Sequence, residues 1–97
     1  MSALIGILLS SSVRPDERDD AAIDLGRLGG QRAVDALLSV ARDPRVDPAL
    51  AGTSGESLAE IALRSGRLDE AWLEGLVPTA RRELIEWVRR ERPDFLK

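Results

Sequence analysis

The chain of 97 residues contains no Cys, no His and no Tyr, and only one Phe, one Met and two Trp. Each absence closes a class of chemistry. Without Cys there is no thiolate nucleophile, no disulfide framework and no Cys-based zinc site. Without His there is no imidazole base, and His-ligated zinc or haem is excluded. The missing Cys also gives no sign of an oxidising compartment, so a reducing cytoplasm is the expected location. Long hydrophobic runs are absent too. The longest apolar stretch, Leu4 to Leu9, lacks a basic flank and is too short to span a bilayer, so it reads as a core helix. What remains is 43% hydrophobic and 32% charged residues, the composition of one ordinary globular domain covering residues 1–97.

The net charge of -3 is unevenly spread. Residues 1–48 hold six Arg against eight acids, residues 49–77 two Arg against five, and residues 78–97 five Arg and Lys97 against four. An acidic first three quarters argues against nucleic acid as a partner, because affinity for a phosphate backbone comes mainly from Lys and Arg. A basic protein fits that surface better. The C-terminal Arg81, Arg82, Arg89, Arg90 and Arg92 are interleaved with Glu83, Glu86 and Glu91, which is the pattern of a solvated helix face.

Apolar spacing predicts helices nearly throughout, and neither alternating strands nor Asn-Gly turns occur. A first helix covers about 2–12, with Leu4, Ile5, Leu8 and Leu9 inward. A second runs from Pro15 to Leu28, its first turns rich in Asp and Glu and its inner face formed by Ala21, Ala22, Leu25 and Leu28. Gly29-Gly30 stops it. A third covers about 31–41 and ends at Asp43-Pro44. Residues 42–55, with Pro44, Pro48, Gly52 and Gly55, read as a loop, containing at most a short turn at 47–50. A fourth helix then starts at Thr53 or Ser54, where Thr53 and Glu56 match a capping box, and ends at Arg64 before Gly66. A fifth covers about 68–76, and a sixth runs from Pro78 to about Arg92. Phe95 and Leu96 are expected to fold back as a terminal plug. The fold class is therefore all-α, with about six helices.

A shift of 36 residues places Leu25 on Ile61, Gly26 on Ala62, Gly30 on Gly66 and Leu37 on Leu73. Both copies read as helix, Gly-containing turn, helix, the signature of a short α-solenoid. Ala21, Ala22, Leu25, Gly26, Gly29, Arg32, Ala33, Val34, Leu37 and Leu38 closely resemble a bacterial HEAT-like repeat. The second copy departs from that pattern, with Leu68-Asp69-Glu70 in place of Arg-Ala-Val. Gly55-Glu56-Ser57-Leu58-Ala59-Glu60-Ile61 is in addition similar to a segment of short, acidic, HEAT-like immunity proteins of bacterial toxin systems. That resemblance implies a protein-binding module that neutralises a basic toxin domain by steric and electrostatic blockade. A HEAT-like adaptor without a dedicated toxin is the alternative.

The candidate contacts are Asp43, Asp47 and Glu56 before and at the start of the fourth helix, Glu60 on it, and Asp69, Glu70 and Glu74 around the fifth. Trp72 and Trp87 sit at core spacing and read as packing residues, with interface anchoring as the alternative. Asp16, Asp19 and Asp20 could group as carboxylates for catalysis or a divalent ion, but first-turn acids are accounted for by the helix dipole. No enzymatic role, metal or cofactor, nucleic acid or membrane is expected, and the free chain is expected to be a monomer.

Overall fold

The computed structural model describes residues 1–96 and is all-helical, with no strand among them. Five α-helices follow in order: α1 Ser2–Leu9, α2 Pro15–Leu28, α3 Gln31–Ala41, α4 Pro48–Ser65 and α5 Pro78–Glu91. Two single 3-10 turns, Glu70–Leu73 and Pro93–Leu96, complete the chain. The helices form an elongated stack of 39 × 24 × 19 Å. α1 rests on α2 and α3, both of these pack on α4, α4 packs on α5, and the terminal turn lies on α5. None of the helices is long and apolar enough to cross a membrane among the described residues.

Proline sets three of the helix starts. Pro15, Pro48 and Pro78 each occupy the first turn, where a missing N–H is no loss. At α4 the signal is doubled, because the Asp47 carboxylate accepts the Ala49 N–H at 2.8 Å as a true N-cap. Here the structure corrects the sequence reading. The loop expected over 42–55 ends at Asp47, and Gly52 and Gly55 lie inside an 18-residue helix. The Thr53–Glu56 capping box does not form; the Thr53 hydroxyl instead donates to the Ala49 carbonyl at 3.1 Å.

Those glycines serve packing. A Cβ on Gly55 would run into the backbone carbonyl group of Ala80, and its distance to Ala80 Cα would be 3.0 Å. A Cβ on Gly52 would lie 3.2 Å from Thr79 Cγ2. The same device closes the seam between α2 and α4, where a Cβ on Gly26 would lie 2.8 Å from Ser57 Cβ. Two polar bonds tie that seam: the Ser57 hydroxyl donates to the Ala22 carbonyl at 2.9 Å, and Arg64 Nη2 donates to the Gly26 carbonyl at 2.7 Å. The adjoining core is apolar, with Leu8, Leu25, Leu37, Leu58, Leu84 and Val88 fully buried. Each such side chain contributes roughly 1.5–3 kcal/mol on transfer from water. Ser54 is buried beside them, and its hydroxyl has no hydrogen-bond partner among the described residues.

The count of about six helices is corrected to five. The segment expected as a fifth helix over 68–76 is a single turn, Glu70–Leu73. Gly75 follows at φ 73°, a left-handed conformation that stops propagation. Arg42 holds the turn from outside, with Nη2 donating to the Ala71 carbonyl and Nε to the Glu74 carbonyl, both at 2.8 Å. The Val77 N–H, bonded to the Ala41 carbonyl at 2.9 Å, then fixes the entry to α5. Three smaller expectations also shift. α1 ends at Leu9 instead of about residue 12, Leu9 is exposed, and Leu28 is 58% exposed at the end of α2. Phe95 and Leu96 do fold back, partly buried against the core.

Candidate interaction site

α2, α4 and α5 enclose an open groove of about 400 Å³. α2 and α4 each supply side chains one turn apart, Asp19 and Ile23 from α2 and Glu56 and Glu60 from α4, and α5 supplies Trp87. Ser57 lies at the base, with its hydroxyl already committed to α2. The indole of Trp87 is half-buried, packed against the core on one side and lining the groove on the other.

The charges in this groove are not balanced. Burial between the groove walls, the Glu83 carboxylate and the Asp19 carboxylate together push the Glu56 carboxyl above its ordinary value. Glu56 makes no hydrogen bond and no ion pair among the described residues. Glu60 is partly compensated by Arg64 at 3.4 Å, and Arg27, on the groove edge, leans toward Asp24 at 3.6 Å. The result is a negatively charged slot beside an aromatic plane, open to a cationic side chain of a partner.

The seven candidate residues do not share one face. Glu56 and Glu60 lie in the groove. Asp43 belongs to the tight turn before α4, where it accepts the Arg45 backbone N–H at 2.9 Å and the Arg45 guanidinium at 3.1 and 3.3 Å. These bonds hold its carboxyl below the usual range. Asp47 is the N-cap of α4, and Asp69 accepts the Ala71 N–H at 3.0 Å at the start of the 3-10 turn. Those three carboxylates therefore hold backbone groups. Glu70 and Glu74 line a separate shallow cleft of about 670 Å³, opposite Arg81 and Arg89 on α5.

Of the groove-lining residues, Asp19, Ile23, Arg27, Thr53 and Ser57 were not singled out as contacts by the sequence, which weighed Trp87 as an interface anchor only as the alternative to packing; Glu83 stands beside the groove as a charge neighbour of Glu56. A signal for them existed: Asp19 and Ile23, Glu56 and Glu60, and Glu83 and Trp87 are all i, i+4 pairs. It becomes readable only once α2, α4 and α5 are known to be neighbours. Of the first-turn acids, Asp16 is held by Arg14 at 2.9 Å and lines one cleft with Asp19 and Asp47, and no group of three or more Asp or Glu among the described residues could hold a metal ion. No protein-family model, curated protein or solved structure matches this chain.

Proposed function

We propose that this chain is a protein-binding module, and specifically an immunity protein that binds a basic bacterial toxin domain through the α2/α4/α5 groove. The observation that carries the reading is the groove itself: Glu56, exposed and with no side-chain hydrogen bond or ion pair among the described residues, lines it with Asp19 and Glu60 beside the half-buried Trp87. An acidic group held unpaired in such a place is relieved when a partner supplies a cation. The resemblance of Gly55–Ile61 to immunity proteins fits the division of labour in that segment. Gly55 and Ser57 make the seams with α5 and α2, Leu58 and Ala59 fill the core, and Glu56 and Glu60 face outward. The hairpin of α2, Gly29-Gly30 and α3 supports the HEAT-like reading of the scaffold.

Blockade would be steric and electrostatic. The acidic slot would take basic side chains that the toxin uses on its own substrate, and complementary potential would speed association in the bacterial cytoplasm. The test is binding and rescue with the protein encoded beside this one. Co-expression should protect cells from a basic toxin domain, and Glu56→Lys should weaken binding at least about a hundredfold, the scale of losing a close interfacial charge pair. Failure of the neighbouring protein to bind, or unchanged affinity of Glu56→Lys, would refute the proposal. Several modest partners without rescue would favour the HEAT-like adaptor.

A further inference from the structure

We infer that the cleft between α5 and the 3-10 turn Glu70–Leu73 docks an amphipathic helix of a partner protein, one whose apolar stripe is flanked by acids on one side and by bases on the other. The inference is independent of the function proposed for the α2/α4/α5 groove. The cleft measures about 670 Å³ and is lined by Leu68, Leu73, Ile85, Phe95 and Leu96, all five only half-buried. Its end is braced, because the Arg92 guanidinium lies 4.5 Å from the centre of the Phe95 ring and pairs with Asp94 at 2.9 Å.

The cleft opens where the second half of the chain departs from the first. On α3, Val34, Leu37 and Leu38 are buried. The positions 36 residues on hold Glu70, Leu73 and Glu74, and the chain makes a single turn there that leaves both glutamates exposed. Leu73 keeps its apolar character and, with Ile85 of α5, stays half-exposed on the cleft.

The walls specify the charges of the occupant. Arg81, Ile85 and Arg89 form one i, i+4, i+8 row of α5, and Glu70, Leu73 and Glu74 line the other side. Each wall thus carries an apolar residue and two charges of one sign. The walls do not satisfy each other: among the described residues Glu70, Glu74 and Arg89 form no ion pair and no side-chain hydrogen bond, and Arg81 makes a 3.4 Å bond to the Leu73 carbonyl. A purely apolar ligand would leave these charges unpaired beside it, and a ligand of a single sign would meet one wall of its own sign. A segment with acids toward α5 and bases toward the turn satisfies both walls.

The main chain decides the conformation. An extended peptide gains affinity by bonding to free backbone groups. Here the described residues contain no strand, and the Ala71 and Glu74 carbonyls of the turn are already bonded to Arg42. A helix satisfies its own backbone and needs only side-chain contacts. Arg81 and Arg89 are about 12 Å apart along α5, so a helix lying beside α5 meets them with acids about two turns apart.

The probe is a fluorescein-labelled helical peptide of about 16 residues with a leucine stripe, two Glu about two turns apart on one flank and two Lys on the other. Fluorescence anisotropy with the full chain should show saturable binding, and amide chemical-shift changes should centre on residues 68–75 and 81–96. Arg89→Glu should weaken binding about fivefold, and Arg81→Glu with Arg89→Glu about thirtyfold, with unchanged circular dichroism. A peptide whose two Glu are replaced by Lys should recover affinity for that double variant. Absence of saturable binding, shifts confined to the α2/α4/α5 groove, or equal affinity for a peptide with uncharged flanks would overturn the inference. So would equal binding of a peptide kept extended by proline substitution. A mass above 10.6 kDa in sedimentation equilibrium that Ile85→Glu abolishes would put a second copy in the cleft and overturn it likewise.

Discussion

The two halves related by the 36-residue shift begin alike and end differently. In the first, α2 passes through Gly29-Gly30 into α3, an eleven-residue helix with seven buried residues. In the second, α4 passes through Gly66 into one 3-10 turn with none. Apolar spacing survives in both, since Leu37 and Val40 correspond to Leu73 and Leu76. What differs is where the backbone bonds go. Gly75 adopts positive φ, and Arg42 takes the Glu74 carbonyl that a longer helix would have bonded internally and shares the Ala71 carbonyl with the Glu74 N–H. Periodicity tells which residues seek the core, but a helix also needs its terminators to stand clear.

Several substitutions can break or sharpen this contrast. The largest effect should come from equivalent core positions: Leu25→Ala should lower stability by about 3 kcal/mol, and Ile61→Ala by about 2 kcal/mol or more, measured by urea unfolding. Equal losses would extend the repeat into the energetics, and a negligible loss at Ile61 would show that α4 no longer plays the part of α2. Next, Gly26→Ala should cost about 2 kcal/mol, because the added Cβ must displace Ser57. Its counterpart Ala62→Gly should cost about 1–2 kcal/mol through helix propensity and the loss of one buried methyl, with no clash, so a tolerated Gly26→Ala would contradict the close seam.

Smaller still, Gly75→Ala places a side chain at φ 73° and should cost about 1 kcal/mol. Hydrogen exchange should localise the loosening to residues 70–77; a gain in helicity over 68–76 would show instead that Gly75 alone suppresses the missing helix. The smallest effect concerns Glu56, which stands where Asp20 stands in the first half. Its folded carboxyl titrates above the ordinary 4.5, so the folded state binds more protons than the unfolded one, and stability falls as pH rises from that value through the raised one. Glu56→Gln should abolish that fall and leave the protein equal or slightly more stable at pH 7, by under about 0.5 kcal/mol after solvent screening. Asp20→Asn is the reference, and a variant at Glu56 that loses stability at pH 7 would contradict the strained carboxylate.

The unequal halves also explain what could be read beforehand. Elements delimited by local chemistry were legible: Pro15 and Pro78 opened helices, Gly29-Gly30 and Gly66 closed them, and the apolar stripe of α2 gave the buried Ala21, Ala22 and Leu25. The misread stretch, 42–55, failed for a tertiary reason. Gly52 and Gly55 look like breakers in a linear chain, and only the presence of Thr79 and Ala80 across the seam makes them packing residues. The candidate site was half legible on the same grounds. Glu56 and Glu60 emerged from the sequence, but Asp43, Asp47 and Asp69 are acids that hold turns and caps, and the contributions of Asp19, Glu83 and Trp87 depend on three helices meeting.

Glycines at 26, 52 and 55 set how closely α2 and α5 approach α4, and a larger residue at any of them would press on Ser57, Thr79 or Ala80. The distance between α2 and α5 is thereby insulated from the residues that face the groove. Asp19, Glu56, Glu60 and Glu83 could be exchanged for other polar groups while the frame that presents them stays at the same width. Changes of charge at these groove positions would therefore leave the close seams at Gly26, Gly52 and Gly55 untouched.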